Sequence, residues 1–277
     1  MSEAPIRHQR AAGGVAARFG PGPAGARPRA LRQAAPLRLL LPDPEPGEWT
    51  TAALLNTGGG LAGGDDVSVA LTLEPGARLT LATAAAEKLY RALGPATRIA
   101  NTLELGAGAA LEWIPQESIL FDGAALRRRT EVTLAADARL LALETLAFGR
   151  AARGEVLRDL RLHDAWRLRQ GGRLLWADAL RLEDAAPLTA PLGLDGAGAF
   201  STLLCAGPGA EAQFAPLRAA LEGVGLRAGV TRPAPGLVML RALGGADALR
   251  RLFARLLPDL RAEFLGQPAR LPRLWTN

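Results

Sequence analysis

The sequence has 1 cysteine, 2 histidines and an aromatic content of 5%. A lone thiol, Cys205, allows no internal disulfide and fits a reducing compartment. It lies in the apolar run 200–206, where a buried thiol behaves as a small hydrophobe. His8, His163 and Cys205 are too few to build a closed zinc site by themselves. His163 beside Asp164 reads as a surface strand residue. Scarce aromatics argue against a stacking platform for single-stranded nucleic acid. Mean hydropathy is only +0.10, and no uninterrupted apolar stretch is long enough to cross a bilayer. The first ten residues carry no apolar signal core. The expected location is the cytoplasm.

Lysine is almost absent as well. Lys88 stands alone, and every other member of the 33 Lys and Arg residues is arginine. A compact ammonium at that place differs from a planar guanidinium in what it can bind. The net charge of +6 and pI near 10.9 invite a nucleic-acid reading. The arginines are dispersed among leucine and alanine, however, and the densest cluster is only Arg127-Arg128-Arg129. A length of 277 residues fits one large all-β domain or two ordinary ones.

What the chain does have is glycine, concentrated in Asn56-Thr57-Gly58-Gly59-Gly60-Leu61-Ala62-Gly63-Gly64-Asp65-Asp66. Gly59, Gly60, Gly63 and Gly64 suit a sharp turn or a close backbone approach. No Gly-Lys-Ser/Thr follows and the downstream pattern is strand, so a phosphate loop is a poor fit. Asp65 is either the cap of this turn or a functional carboxylate.

Residues 1–30 are expected to be loosely ordered, residues 31–205 to form a stacked β body, and residues 206–277 to hold helices and a strand, within a single domain. Three segments superimpose without a gap: 71–79, 103–111 and 132–140. Each alternates, bends through a small or turn-forming quartet, and alternates again, which is a strand pattern. A strand-built repeat of about 30 residues suggests stacked coils, each covering its neighbour's apolar face. Three hairpins in a sandwich are the alternative. In stacked coils Glu87, Glu117 and Glu144 would share one edge, with Lys88, Tyr90 and Gln116 near them; a solvated rim is the plainer reading. Residues 160–168 and 173–182 around Gly171-Gly172 read as a hairpin. Helical spacing then appears over 211–224 and 247–264, where Leu252, Phe253 and Leu256 lie on an apolar stripe. Pro258 is expected to kink or divide that second helix.

The glycine stretch together with Ala86-Glu87-Lys88-Leu89-Tyr90-Arg91, the segment from Leu111 to Phe121, Phe148-Gly149-Arg150-Ala151 with Gly154-Glu155, and Pro272-Arg273-Leu274-Trp275 resembles the urease accessory protein UreD (UreH) family. The resemblance runs in order from about residue 50 to the end. It implies a mainly β fold, a β-helix-like stack of sheets with two C-terminal α-helices. It also implies a non-enzymatic assembly factor whose partners are apo-urease, UreF and the GTPase UreG, and which helps deliver nickel through an internal passage.

On that reading no cofactor is tightly bound, and Ni²⁺ would pass along weakly coordinating oxygens. Asp65 and Glu117 are the foremost candidates, followed by Asp66 and Glu144. The helix stripe and Trp275 are candidates for a UreF contact or for core packing. The rival classes are a hydrolase using acids near the glycine turn and a basic nucleic-acid binder. Adjacent carboxylates on one strand point to opposite faces, which suits shared acid–base work poorly.

Overall fold

The protein is described by a computed structural model in which residues 9–276 are placed; His8 lies outside them. The chain opens with β1 (Ala12–Gly22), β2 (Gly25–Ala34), β3 (Leu37–Leu40) and β4 (Thr50–Asn56). Two coils follow, β5 (Asp66–Leu73), β6 (Arg78–Thr83) and β7 (Glu87–Leu89), then β8 (Thr97–Leu105), β9 (Ala110–Ile114) and β10 (Ser118–Leu120). A third supplies β11 (Ala124–Leu134) and β12 (Arg139–Phe148), before the hairpin β13 (Leu160–Gln170) and β14 (Arg173–Leu182). A single helical turn, α1 (Ala186–Thr189), leads to β15 (Ala199–Ala206), α2 (Phe214–Ala220), β16 (Arg227–Ala234), β17 (Leu237–Gly244) and α3 (Ala246–Leu260).

One sheet has 7 strands in the order β14-β13-β11-β8-β5-β1-β2. The other has 10, running β16-β17-β15-β12-β9-β6-β4-β3, with β7 and β10 paired beside the end of β12. The middle strands of both sheets are parallel, because each coil lays one strand on each sheet in the same sense. Leu71 stands opposite Leu103, and Leu103 opposite Val132. In the second sheet Leu79 stands opposite Leu111, and Leu111 opposite Leu140. The three sequence repeats therefore stack in register, and the hairpin-sandwich alternative is not the arrangement. Each bend closes on the same bond: Ala77 N–H to Glu74 O, Ala109 N–H to Gly106 O and Ala138 N–H to Ala135 O, at 3.0, 3.0 and 3.1 Å. The three alanines are buried, so nothing larger than a methyl group fits between successive bends.

Leucines from both sheets meet in a core between them. The outer face of the larger sheet is buried a second time, under α2, α3 and the C-terminal tail. That double burial explains why β9 is buried at every position and why strands such as β12 read as nearly continuous apolar runs. The stripe of Leu252, Phe253 and Leu256 packs in this second core and is not a free docking face.

Two expectations need correction. From Ala12 onward the N-terminal segment is ordered strand: β1 pairs antiparallel with β2 and parallel with β5. Pro21 is tolerated because the pairing with β5 ends at Phe19, so its missing N–H costs the ladder nothing on that side. Nor does Pro258 divide α3. The helix continues through it to Leu260 and widens into a π-helical turn at Arg261–Leu265. A proline this near the helix end removes one backbone bond from an element held by its packed face.

Replacing Leu103, sealed between Leu71 and Val132, by alanine should cost about 2–5 kcal/mol of unfolding free energy. Thr102→Ala, on the exposed face of the same strand, should cost less than about 1 kcal/mol. Denaturant titration of both variants checks this; equal losses would contradict the stacked core.

Candidate functional site

The glycine stretch is the first rung of a third, short ladder at one corner of the stack. Leu61 bridges Leu89 in parallel, Leu89 pairs with Leu120, and Leu120 with Phe148. These four buried side chains are equivalent positions of successive coils. Gly60 and Gly63 are there because the next coil presses on them. A Cβ on Gly60, whose φ is +142°, would sit 2.4 Å from the Tyr90 ring, and one on Gly63 would sit 2.4 Å from Ala92 Cβ. Asp65 locks the turn: one carboxylate oxygen accepts the Ala11 N–H and the other the Ala62 N–H, each at 2.8 Å. Asp65 is buried while Asp66 is exposed, so the two acids do not share a site.

One residue past that buried column the side chains turn outward and touch in sequence. The Tyr90 hydroxyl donates to Gly59 O at 2.9 Å. Its ring meets Phe121 edge-on at 5.1 Å between centroids. The Arg150 guanidinium lies 4.5 Å over the Phe121 ring and donates to both oxygens of Glu155 at 2.9–3.0 Å. Those bonds hold the Glu155 carboxyl below its ordinary range. Beside them Arg91 pairs with Asp122, whose carboxyl is held low by the backbone N–H groups of Arg158 and Asp159. Leu93 and Val156 on the flanking loops are both 71% exposed, and Tyr90 is 38% exposed. Four of the stretches singled out in the sequence thus form one rigid, partly apolar corner.

Deeper in the stack, between the two sheets, lies a buried charge cluster. Arg128 on β11 donates to both oxygens of Asp164 on β13 at 2.8 and 2.6 Å. It crosses the core to Glu144 on β12 at 2.9 Å and reaches Ser118 on β10 at 3.3 Å. The indole N–H groups of Trp113 and Trp166 donate to Glu144 at 3.1 and 3.2 Å. Burial pushes the Glu144 carboxyl up to about 7, with Arg128 opposing and Asp164 adding to the rise.

A second cluster fastens the C-terminal segment to the outer face of the larger sheet. Arg261 lies 2.9 Å from Glu112 and 3.4 Å from Glu48. Thr80 and Gln267 donate to Glu112 at 2.6 and 2.8 Å, and burial pushes the Glu112 carboxyl up. Farther along, the Trp275 indole donates to Ile114 O at 2.9 Å, and Gln116 donates to Leu274 O at 2.8 Å. Arg250 spans Gln116 and the Trp275 carbonyl and lies 3.5 Å from Glu117. Gln116 and Trp275 are therefore parts of one tail clasp, and Trp275 is buried.

The expected acidic edge does not form. Glu87 aligns with Ser118, and Ser118 with Leu146. Glu87 accepts from Asn56 at 2.9 and 3.0 Å, and burial raises its carboxyl; Glu117 faces Arg250, and Glu144 is interior. Like charges in adjacent rungs would repel, and the register avoids it. Lys88 is exposed beside Glu87. Cys205 is buried, with its thiol pushed up by that burial. Among the described residues no three His, Cys, Asp or Glu side chains are grouped to hold a metal. Sequence reasoning missed Arg128, Asp164, Glu112 and Arg261. The signal for the first two was strand parity: Arg128 shares a face with Leu126 and Val132, and Asp164 with Leu162 and Trp166.

Because the folded carboxyl of Glu144 sits near 7 and its ordinary value is 4.5, the folded chain keeps a proton there that the unfolded chain has lost. Stability should therefore fall as pH rises from about 4.5 to 7 and level off above. Glu144→Gln should flatten that slope. Urea midpoints between pH 5 and 8 test it; an unchanged slope in the variant would be the contrary result.

Comparison with known proteins gives one consistent result. The profile of the UreD urease accessory protein family matches residues 11–276. A "Urease accessory protein UreD" of Granulibacter bethesdensis is 50% identical over 241 residues, covering 86% of this chain and 100% of that protein. "Urease accessory protein UreD 1" of Methylobacterium radiotolerans is 46% identical over 286 residues, covering 100% and 96%. A Magnetococcus marinus UreD is 44% identical over 250 residues, covering 87% of this chain and 85% of its own. With motif order, stacked architecture and near-full coverage in agreement, the chain belongs to the UreD family of urease accessory proteins.

Proposed function

We propose that this chain is a non-catalytic platform for urease maturation, holding apo-urease on one side and a UreF-like protein with a UreG-like GTPase on another, in the cytoplasm. The observation that carries this reading is the corner formed by Gly59, Tyr90, Phe121, Arg150 and Glu155. It is cross-braced by the Tyr90–Gly59 and Arg150–Glu155 bonds and flanked by exposed Leu93 and Val156. Rigid aromatic and arginine anchors of this kind lose little conformational entropy on docking and supply much of a protein interface's affinity. We assign the urease contact to this corner.

The UreF-like partner belongs at the opposite chemistry, the C-terminal segment. The apolar stripe of α3 is spent in the core, so the contact falls to its outward residues, including Arg251, Arg255 and Asp259. Nickel delivery fits the acids that keep open oxygens. Asp66 is exposed and Glu117 is only loosely faced by Arg250. Single carboxylates bind a divalent cation weakly enough to release it. Asp65, with both oxygens bonded to backbone N–H groups, and Glu144, pinned by Arg128 and two indoles, support the frame around that route.

The test is co-expression with urease subunits and the two partners in nickel medium. Tyr90→Ala or Arg150→Ala should leave the fold intact and weaken capture of apo-urease about thirtyfold, the loss of one ~2 kcal/mol anchor. Glu117→Gln should keep the complex and lower its nickel loading. Wild-type capture by both corner variants would refute the docking assignment, and wild-type loading by Glu117→Gln would refute the nickel role.

A further inference from the structure

We propose that the outer face of the seven-stranded sheet carries a binding site for a multivalent phosphate-class oxyanion, formed by Arg127, Arg161, His163 and Arg181. Strand register places Arg98 opposite Arg127, Arg127 opposite His163, and His163 opposite Arg181. Neighbouring strands lie about 4.8 Å apart, so Arg98 and Arg127 stand charge against charge, and the His163 imidazole lies between Arg127 and Arg181. Like charges directly opposite one another destabilise a sheet. Arg161 adds a fourth guanidinium, two residues before His163 on the same exposed face of β13.

Little on the protein offsets this charge. Arg181 pairs with Glu183, and Asp66 ends the row beyond Arg98. Among the described residues Arg98, Arg127 and Arg161 have no ion pair or side-chain hydrogen-bond partner. The row is not flat: Arg127, Arg161, His163, Arg181 and Glu183 line a hollow of about 360 Å³. Guanidinium forks match the oxygens of a phosphate group two at a time. A hollow of that size takes a di- or triphosphate, and no Phe, Tyr or Trp lines it, the side chains on which single-stranded bases most often stack. The ligand is either the free anion or the phosphate tail of a small molecule.

Calorimetric titration of the full chain with inorganic pyrophosphate, at ionic strength held constant with sodium chloride, tests the proposal. Saturable binding is expected, weakened at least about tenfold for each arginine removed in Arg127→Ala and Arg161→Ala, as for a lost charged hydrogen bond. Both side chains are exposed, so melting temperatures should stay at the wild-type value, and Arg173→Ala at the far end of the hairpin should bind normally. A nucleoside diphosphate arm separates the sources: tighter binding than pyrophosphate marks a ligand-borne phosphate, and equal binding marks the free anion. The proposal is overturned if pyrophosphate produces no heat beyond chloride or if the double variant binds as wild type. It is also overturned if a short DNA duplex or an acidic peptide engages these arginines while pyrophosphate does not.

Discussion

The register of the parallel ladders governs the rest of this molecule. Leu71, Leu103 and Val132 in one sheet, and Leu79, Leu111 and Leu140 in the other, lie directly over one another. Each leucine is sealed only when the coils above and below keep the same phase. A slip of one residue would turn the inward leucines of a seven-stranded-sheet strand out to its exposed face. The same phase fixes the third ladder, so Tyr90 meets Phe121 and Arg150 follows. The corner of Tyr90, Phe121 and Arg150 is thus a by-product of core packing, held in place by the buried column beneath it.

Buried charge refines that frame. Hydrophobic contact between two sheets is non-directional, whereas Arg128 can satisfy Asp164 and Glu144 only when β11, β12 and β13 are mutually placed. The cluster of Glu112, Arg261 and Glu48 does the same between the larger sheet and the C-terminal segment. Such pairs contribute little net stability against apolar replacements and much against being broken. Their value here is in selecting one alignment of the layers. The Arg250 clasp extends that alignment to Trp275, so that the C-terminal tail is fixed relative to the same core.

Much of this was legible in the sequence. The gapless repeat forecast the stacking and its pairing partners, and the shift to helical spacing forecast α2 and α3. The composition of 1–30 misled because proline breaks a strand only where a ladder needs its N–H, and towards β5 the ladder ends before Pro21. Glu87, Glu117 and Glu144 were expected to align because their distances from the repeats look similar. The loops between β6 and β7 and between β9 and β10 set the true phase, which places Ser118 beside Glu87. Asp65 could be narrowed to a turn cap or an open acid, and only the positions of Ala11 and Ala62 decide its bonding. Arg128 was hidden within a run of three arginines, although its parity marked it as inward. Contacts across 200 residues, such as Arg261 with Glu48, leave no local signal.

Hydrogen exchange of the full chain, free and in complex with apo-urease, reads out where the stacked corner is covered. New protection should concentrate at residues 58–62, 88–93, 119–123 and 149–156, one patch assembled from four separate stretches. Protection confined to the outer face of the seven-stranded sheet or to α2 and α3, with those four stretches exchanging as in the free chain, would contradict it.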